Sequence, residues 1–310
     1  MSTSTQRLGP NGKPVRPFVM PDTLSGKLKV WRFIIYRRIV QFTVLLLFLG
    51  SVHWGWSVFD KPLLVGTLSS SEFLGVIPMA DPFAVLQMFF TGHVLNAEVV
   101  IGALIILGFY AILGGRTFCS WVCPINPVTD LAAWLRKRLG FGPACNLNRN
   151  TRMIVLALAL VLSAITGVAA FEWISPISML HRELIFGIGL GLTAVLGIFL
   201  FDLFIVRNGW CGHICPLGAF YSVVGRVAGL LQVHFDGPTC THCGECAKVC
   251  PEPQVLNLKK AAATGRVEPG DCTNCGRCIP VCPEDTLHFD WRPLLKNKTQ
   301  TTEATDRRAA

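Results

Sequence analysis

The chain has 310 residues, of which 51% are hydrophobic and 15% charged. Its mean hydropathy is +0.48, too apolar for an ordinary soluble protein of this length. The formal net charge of +9 does not mark a nucleic-acid binder, because Lys and Arg gather beside apolar segments and no basic stripe alternates with aromatics.

Residues 1–38 read as a cytoplasmic basic segment: Arg7, Lys13, Arg16, Lys27, Lys29, Arg32, Arg37 and Arg38 face a single acid, Asp22. Four apolar stretches follow, at 39–58, 99–115, 153–171 and 184–206. A helix needs about 20 residues to cross a bilayer, so each is a candidate span. The second extends back toward Met88 if Thr91, His93, Asn96 and Glu98 are helical.

Charge sets the orientation. Arg116, Arg136, Lys137, Arg138, Arg149 and Arg152 lie between spans 2 and 3, and Arg207 follows span 4, whereas the outer connections hold only Lys61 and Arg182. The positive-inside rule then puts both termini in the cytoplasm, with two short outer loops. Trp54, Trp56 and Trp173 suit an interfacial belt, and Arg37-Arg38 reads as a topogenic pair.

A repeat runs through the spans. Asp81-Pro82 and Leu86 lead through span 2 to Arg116, Cys119, Cys123 and Pro124; Ser175-Pro176 and Leu180 lead through span 4 to Arg207, Cys211, Cys215 and Pro216. Each unit is an outer-loop proline, a membrane helix, an arginine and C-x3-C-P, followed by an amphipathic segment at 128–139 or 219–230. Duplication puts Cys119, Cys123, Cys211 and Cys215 on one face. They form either a further redox centre (an iron–sulfur cluster or a redox-active disulfide) or four buried thiols packed as small hydrophobes. Asp202, in span 4, has Arg207 as its candidate partner. Cys145 has no partner at useful spacing and reads as structural.

Residues 231–290 carry the strongest signal. Cys240, Cys243, Cys246 and Cys250, then Cys272, Cys275, Cys278 and Cys282, form C-x2-C-x2-C-x3-C-P twice. This is the bacterial ferredoxin run for two [4Fe-4S] clusters, in which the fourth cysteine of each run reaches the other cluster. Cluster I takes Cys240, Cys243, Cys246 and Cys282; cluster II takes Cys272, Cys275, Cys278 and Cys250. Zinc sites rarely show this cadence twice. Residues 291–310 read as a flexible tail. The fold class is an α-helical integral membrane protein, with four transmembrane helices from a duplicated two-helix unit in 39–230 and a small C-terminal α+β dicluster ferredoxin-like domain.

This combination resembles the NapH family, the membrane-bound quinol dehydrogenase subunit of periplasmic nitrate reductase systems. The resemblance covers about residues 30–290 and implies oxidation of quinol in the membrane, a periplasmic ferredoxin subunit and a reductase as partners, and no nucleic acid. Relatives of similar layout serve nitrous oxide reduction or methylamine utilisation, and a redox maturation factor for a metalloenzyme is the competing class. Quinol oxidation needs proton acceptors beside an apolar slot. His181, Glu98, His93 and His53 are the candidates, with His181 and Glu98 ranked first. No C-x-x-C-H, P-loop or G-x-G-x-x-G motif is present, which disfavours attached haem and nucleotide chemistry.

Topology reporters fused after Ala310 and after Ser70 should give opposite signals, cytoplasmic and periplasmic. Matching signals would contradict the span count.

Overall fold

The computed structural model describes residues 8–9, 11–58, 61–142, 147–187, 189 and 191–292. Cys145 and the tail beyond 292 lie outside the described residues. Helix α1 (Leu24–His53) opens with the Thr23 hydroxyl accepting from Gly26 N. Its 30 residues make it long and apolar enough to cross a membrane. The basic segment is therefore not separate from span 1, since the helix begins at Leu24 and carries Arg37 into the interior at 1% exposure.

Where an outer loop was expected, short strands form: β1 (Ser57–Val58) with β2 (Lys61–Pro62), then an antiparallel sheet of β3 (Leu64–Gly66), β4 (Ser70–Phe73) and β5 (Ile77–Ala80). Strand β3 packs on α1. Strand β5 packs against α3 (Ala97–Leu113), where a Cβ on Gly102 would meet the Pro78 carbonyl at 2.9 Å. Between them α2 (Pro82–Phe90) runs from an Asp81 N-cap, and residues 91–96 break it from α3. Span 2 therefore does not extend back to Met88 as one helix.

Helices α4 (Thr117–Trp121) and α5 (Ile125–Leu139) complete the first half. In the second half α6 (Thr151–Thr166) ends at a left-handed Gly167, short of the expected 171. Helices α7 (Ala170–Ile174) and α8 (Pro176–Phe186) follow, then α9 (Gly191–Phe204). The expected continuous span at 184–206 is broken because Gly187, Gly189 and Gly191 fall together, and glycine disfavours helix. The apolar helices α3, α6 and α9 have 17, 16 and 14 residues. Both repeat prolines start helices rather than sitting in outer loops: Pro82 and Pro176 are buried first residues of α2 and α8, where a missing N–H costs nothing. A π-helical turn (Trp210–Ile214) leads into α10 (Pro216–Ala228).

The C-terminal module is closed by β6 (Leu231–Phe235) paired antiparallel with β7 (Leu287–Trp291), with α11 (Glu245–Val249) and α12 (Leu258–Thr264) between them. Val233, Phe235, Val255, Val267 and Leu287 form its core. A second core in the helical part joins Phe83, Phe118, Ile125, Ile177, Leu217 and Tyr221 with Cys123 and Cys215.

Buried arginines hold the two modules together. Arg116, fully buried, meets Glu252 through two bonds of 2.9 and 2.6 Å and donates to the Asp271 carbonyl at 2.7 Å and the Cys211 carbonyl at 3.1 Å. Arg152 pairs with Asp271, to which Arg226 also donates at 2.9 and 3.0 Å. A second contact joins Asp130 of α5 to Arg37, Arg38 and Arg277. Arg37-Arg38 thus has a structural role that the topogenic reading missed. Arg207 does not pair with Asp202: it donates to the Cys250 carbonyl at 3.0 Å, while Asp202 Oδ1 accepts from Trp210 N.

Close backbone approach seals the seam. Gly114 sits at φ +97°, and a Cβ there would lie 2.3 Å from Asn274 Nδ2, the atom that bonds the Leu113 and Leu231 carbonyls. Burial by itself would raise the Glu252 and Asp271 pKa values. The Arg116 charge and bonds for the first, and the Ser222 bond with the Arg149 charge for the second, outweigh it and hold both below their ordinary values. Their contribution is therefore present at neutral pH and lost as pH falls through the depressed values.

Arg116→Ala strands Glu252 without its bidentate partner and should cost about 3–5 kcal/mol. Limited proteolysis should then release the C-terminal module, and acid should do the same to the wild type. An Arg116→Ala protein as protease-resistant as the wild type would contradict this docking.

Candidate iron–sulfur sites and an adjoining cavity

Two small cavities in the C-terminal module are each lined by four thiols. Cys240, Cys243, Cys246 and Cys282 line one; Cys250, Cys272, Cys275 and Cys278 line the other. Each set takes three cysteines from one run and the fourth from the other run. The loops share a backbone: His242 and Asn274, between the first two cysteines of each run, take φ of +56° and +49°, and Gly244 and Gly276 after the second cysteine are also left-handed. That conformation turns successive sulfurs toward one centre.

Cys119, Cys123, Cys211 and Cys215 line a third cavity with Phe118, Ile177 and Leu217. Cys119 is on α4, Cys211 in the π-helical turn, and Cys123 and Cys215 each precede a proline that redirects the chain. The two halves of the repeat are thereby brought to one point. All twelve cysteines among the described residues are free thiols. Among those residues no group of three or more His, Cys, Asp or Glu closes on a single-ion position.

The surroundings fit an anionic, thiolate-held cluster. Arg116 Nε and Arg152 Nη1 are buried with no hydrogen-bond partner, and the Arg116 charge acts on both Cys119 and Cys272. Burial pushes the Cys215 and Cys272 thiols up to about 12 and Cys246 to about 11. Such thiols are poor exchange nucleophiles, which disfavours a redox-active disulfide. They become thiolates when a metal supplies positive charge.

The third site touches the second through few bonds. Ser120, next to Cys119, donates through Oγ to the carbonyl of Thr273, next to Cys272, at 2.6 Å. Trp121 Nε1 donates to the Asn274 carbonyl at 3.0 Å.

On its other side the four-cysteine site adjoins a cavity of about 280 Å³. Phe118, Ile177 and Leu217 line both spaces, so the partition is one side chain thick. The lining is apolar apart from Asp81, Glu172, Tyr110, Tyr221 and a few serines. Glu172 Oε1 accepts from Ser69 and Ser178 hydroxyls, and Asp81 Oδ1 caps α2 through Phe83 N at 3.1 Å. Tyr110, Phe118 and Tyr221 pack together with ring centroids 5.2 to 5.6 Å apart, Phe118 stacked on Tyr221 and Tyr110 edge-on to both.

The proton-acceptor candidates from sequence are not brought together. His53, His93 and Glu98 are exposed, and His93 Nε2 lies 3.3 Å from the Gly167 carbonyl. His181 is 1% exposed and edge-on to Phe48. Asp81, Glu172, Tyr110 and Tyr221 were missed. Asp81-Pro82 marks the repeat in the sequence, and nothing in that motif singles out the carboxylate over the proline.

Models of a 4Fe-4S binding domain match residues 95–142 and 188–235, and a 4Fe-4S dicluster domain matches 232–283. The methylamine utilization ferredoxin-type protein MauN of Methylobacillus flagellatus is 45% identical over 225 residues, 73% of this chain and 78% of the relative. The ferredoxin-type protein NapH of Escherichia coli is 42% identical over 233 residues, 75% of this chain and 79% of the relative. NapH of Haemophilus influenzae is 42% identical over 226 residues, 73% and 77% of the two chains. No solved structure matches. With three sets of four cysteines gathered and these relatives aligned across most of their length, the chain belongs to the NapH family of ferredoxin-type iron–sulfur electron-transfer proteins.

Proposed function

We propose that this chain takes electrons from membrane quinol and passes them through three [4Fe-4S] centres. One would be held by Cys119, Cys123, Cys211 and Cys215; cluster II by Cys272, Cys275, Cys278 and Cys250; cluster I by Cys240, Cys243, Cys246 and Cys282. When bound, such clusters supply one-electron redox steps tuned by nearby charge and hydrogen bonds. The observation that carries the reading is the contiguity of the sites. The Ser120–Thr273 bond and the Arg116 guanidinium link the four-cysteine cavity to the one lined by Cys250, Cys272, Cys275 and Cys278, and each of the two ferredoxin cavities takes one cysteine from the other's run.

The helical part is the membrane domain, residues 39–230 with α1 extending it backward, and residues 231–290 are the ferredoxin domain. Four membrane helices are supported by a belt of outward apolar side chains: Phe42 and Leu46 on α1, Leu104 and Phe109 on α3, Ile154 and Leu158 on α6, and Leu196 and Leu200 on α9 are all more than a third exposed. Water would not tolerate so large an apolar surface. Helices of 14 to 17 residues reach across by locally thinning the bilayer and by the short α2 and α8 that precede α3 and α9. Both termini are placed in the cytoplasm.

Electrons go toward periplasmic nitrate reductase by way of a periplasmic ferredoxin subunit and the reductase itself, as the NapH likeness suggests. Methylamine utilisation is an equally supported destination, because MauN relatives are as similar. A maturation role explains less, since it gives no reason for an apolar cavity beside a redox centre.

The purified protein should contain about twelve iron atoms, falling by about four when any one of Cys119, Cys123, Cys211 and Cys215 becomes Ser. Double variants within that set should lose no more iron and no more quinol-linked cluster reduction than singles, because the four act as one unit. About eight iron atoms in the wild type, or additive losses, would return these cysteines to a packing role.

A further inference from the structure

Electron transfer among the clusters leaves the 280 Å³ cavity without a purpose, yet its chemistry is specific. Val44 and Leu47 of α1 and Ile106 and Phe109 of α3 form its flank, and Phe109 is 52% exposed. That side opens through apolar residues, the route by which a lipid-soluble molecule arrives. Two carboxylates stand inside, contributed by the two halves of the repeat: Asp81 precedes Pro82, and Glu172 lies just before Ser175-Pro176. Behind them Phe118, Ile177 and Leu217 line both this space and the four-thiol cavity.

We infer that this cavity binds the quinol head group and that Asp81 and Glu172 accept its two hydroxyl protons. The inference deepens the quinol reading above and rests on it. Each O–H bond breaks with its proton passing to a carboxylate oxygen. The two electrons leave singly to oxidised iron–sulfur centres, the one-electron acceptor class for which the cysteines are arranged, and a quinone remains. The bonds to each carboxylate concentrate on one oxygen, Oδ1 of Asp81 and Oε1 of Glu172. Ser69 ties the pair together, since its hydroxyl bonds Glu172 and its carbonyl accepts from Asp81 N at 2.9 Å.

The groups facing Asp81 are Glu172 from α7, Tyr110 from α3 and Tyr221 from α10, and among the described residues no arginine or lysine lines the cavity. Burial, then the Glu172 charge, raise Asp81 to about 7 against the opposing Phe83 and Ala84 N–H groups. A base works best with its pKa near the working pH. Asp81 is ionised above about pH 7, so head-group oxidation at saturating quinol should slow as pH falls below that value.

The test uses the full-length protein with its clusters in lipid nanodiscs, as wild type, Asp81→Asn and Glu172→Gln. Asparagine still caps α2, so the fold is preserved, and dithionite reduction of the clusters verifies that they are intact. A photoreactive short-chain quinone should attach to the segments carrying Val44–Phe48 or Ile106–Tyr110, and excess unlabelled quinone should suppress the adducts. Short-chain ubiquinol and menaquinol should be offered in turn. Asp81→Asn should slow reduction by the better of them about 10²-fold and remove the loss of rate below pH 7. Adducts confined to other segments, or variants reduced at the wild-type rate, overturn this site. A wild type that dithionite reduces and neither quinol does overturns the quinol reading itself, and the site with it.

Discussion

The buried pairing of Arg116 with Glu252 is the constraint on which the rest of the arrangement depends. Arg116 stands three residues before Cys119, and Glu252 stands two residues after Cys250. Joining them fixes one thiol site against another. A fully buried guanidinium is expensive to desolvate and is tolerated only with its partners in place. The same group also holds the Asp271 and Cys211 carbonyls, so it ties both halves of the repeat to the cluster II loop. Removing it would leave a carboxylate in a water-poor seam rather than simply deleting a contact.

Duplication explains how two helical halves converge on the same place. Pro82 and Pro176 each start a short helix inside the protein, so in each half a helix that opens on a buried proline precedes the apolar helix α3 or α9. Each half then ends in an arginine and a C-x3-C-P turn on the side that receives the C-terminal module. The halves have diverged in what their arginines hold: Arg116 meets a carboxylate, and Arg207 a backbone carbonyl at Cys250.

Metal-site chemistry was legible in the sequence because cluster ligation demands close, regular spacing, and the crossed sets around the two cavities follow from those runs. The convergence of Cys119, Cys123, Cys211 and Cys215 was legible through the repeat. What sequence hid was tertiary. The segment between α1 and α2 carries few charges and reads as a plain outer loop, whereas short strands form there, β3 packing on α1 and β5 on α3. Histidines stand out by residue type, but three of the four acid–base candidates are exposed, and the fourth, His181, is buried edge-on against Phe48. Asp81 and Glu172 are 91 residues apart in sequence and meet only through Ser69 and the folded segment around it. Glycines at 187, 189 and 191 gave a local reason to expect a break in the fourth apolar stretch, and its overall hydropathy masked that signal.

The central claim is that the four-cysteine site holds a cluster close enough to cluster II to exchange electrons with it. Low-temperature EPR of partly and fully reduced protein tests this directly. Neighbouring paramagnetic clusters broaden and split one another's signals. The account predicts a split cluster II signal in the fully reduced wild type, and a simpler one in Cys211→Ser, where the partner cluster is gone and the ferredoxin cysteines are untouched. Identical fully reduced spectra from wild type and Cys211→Ser would contradict it.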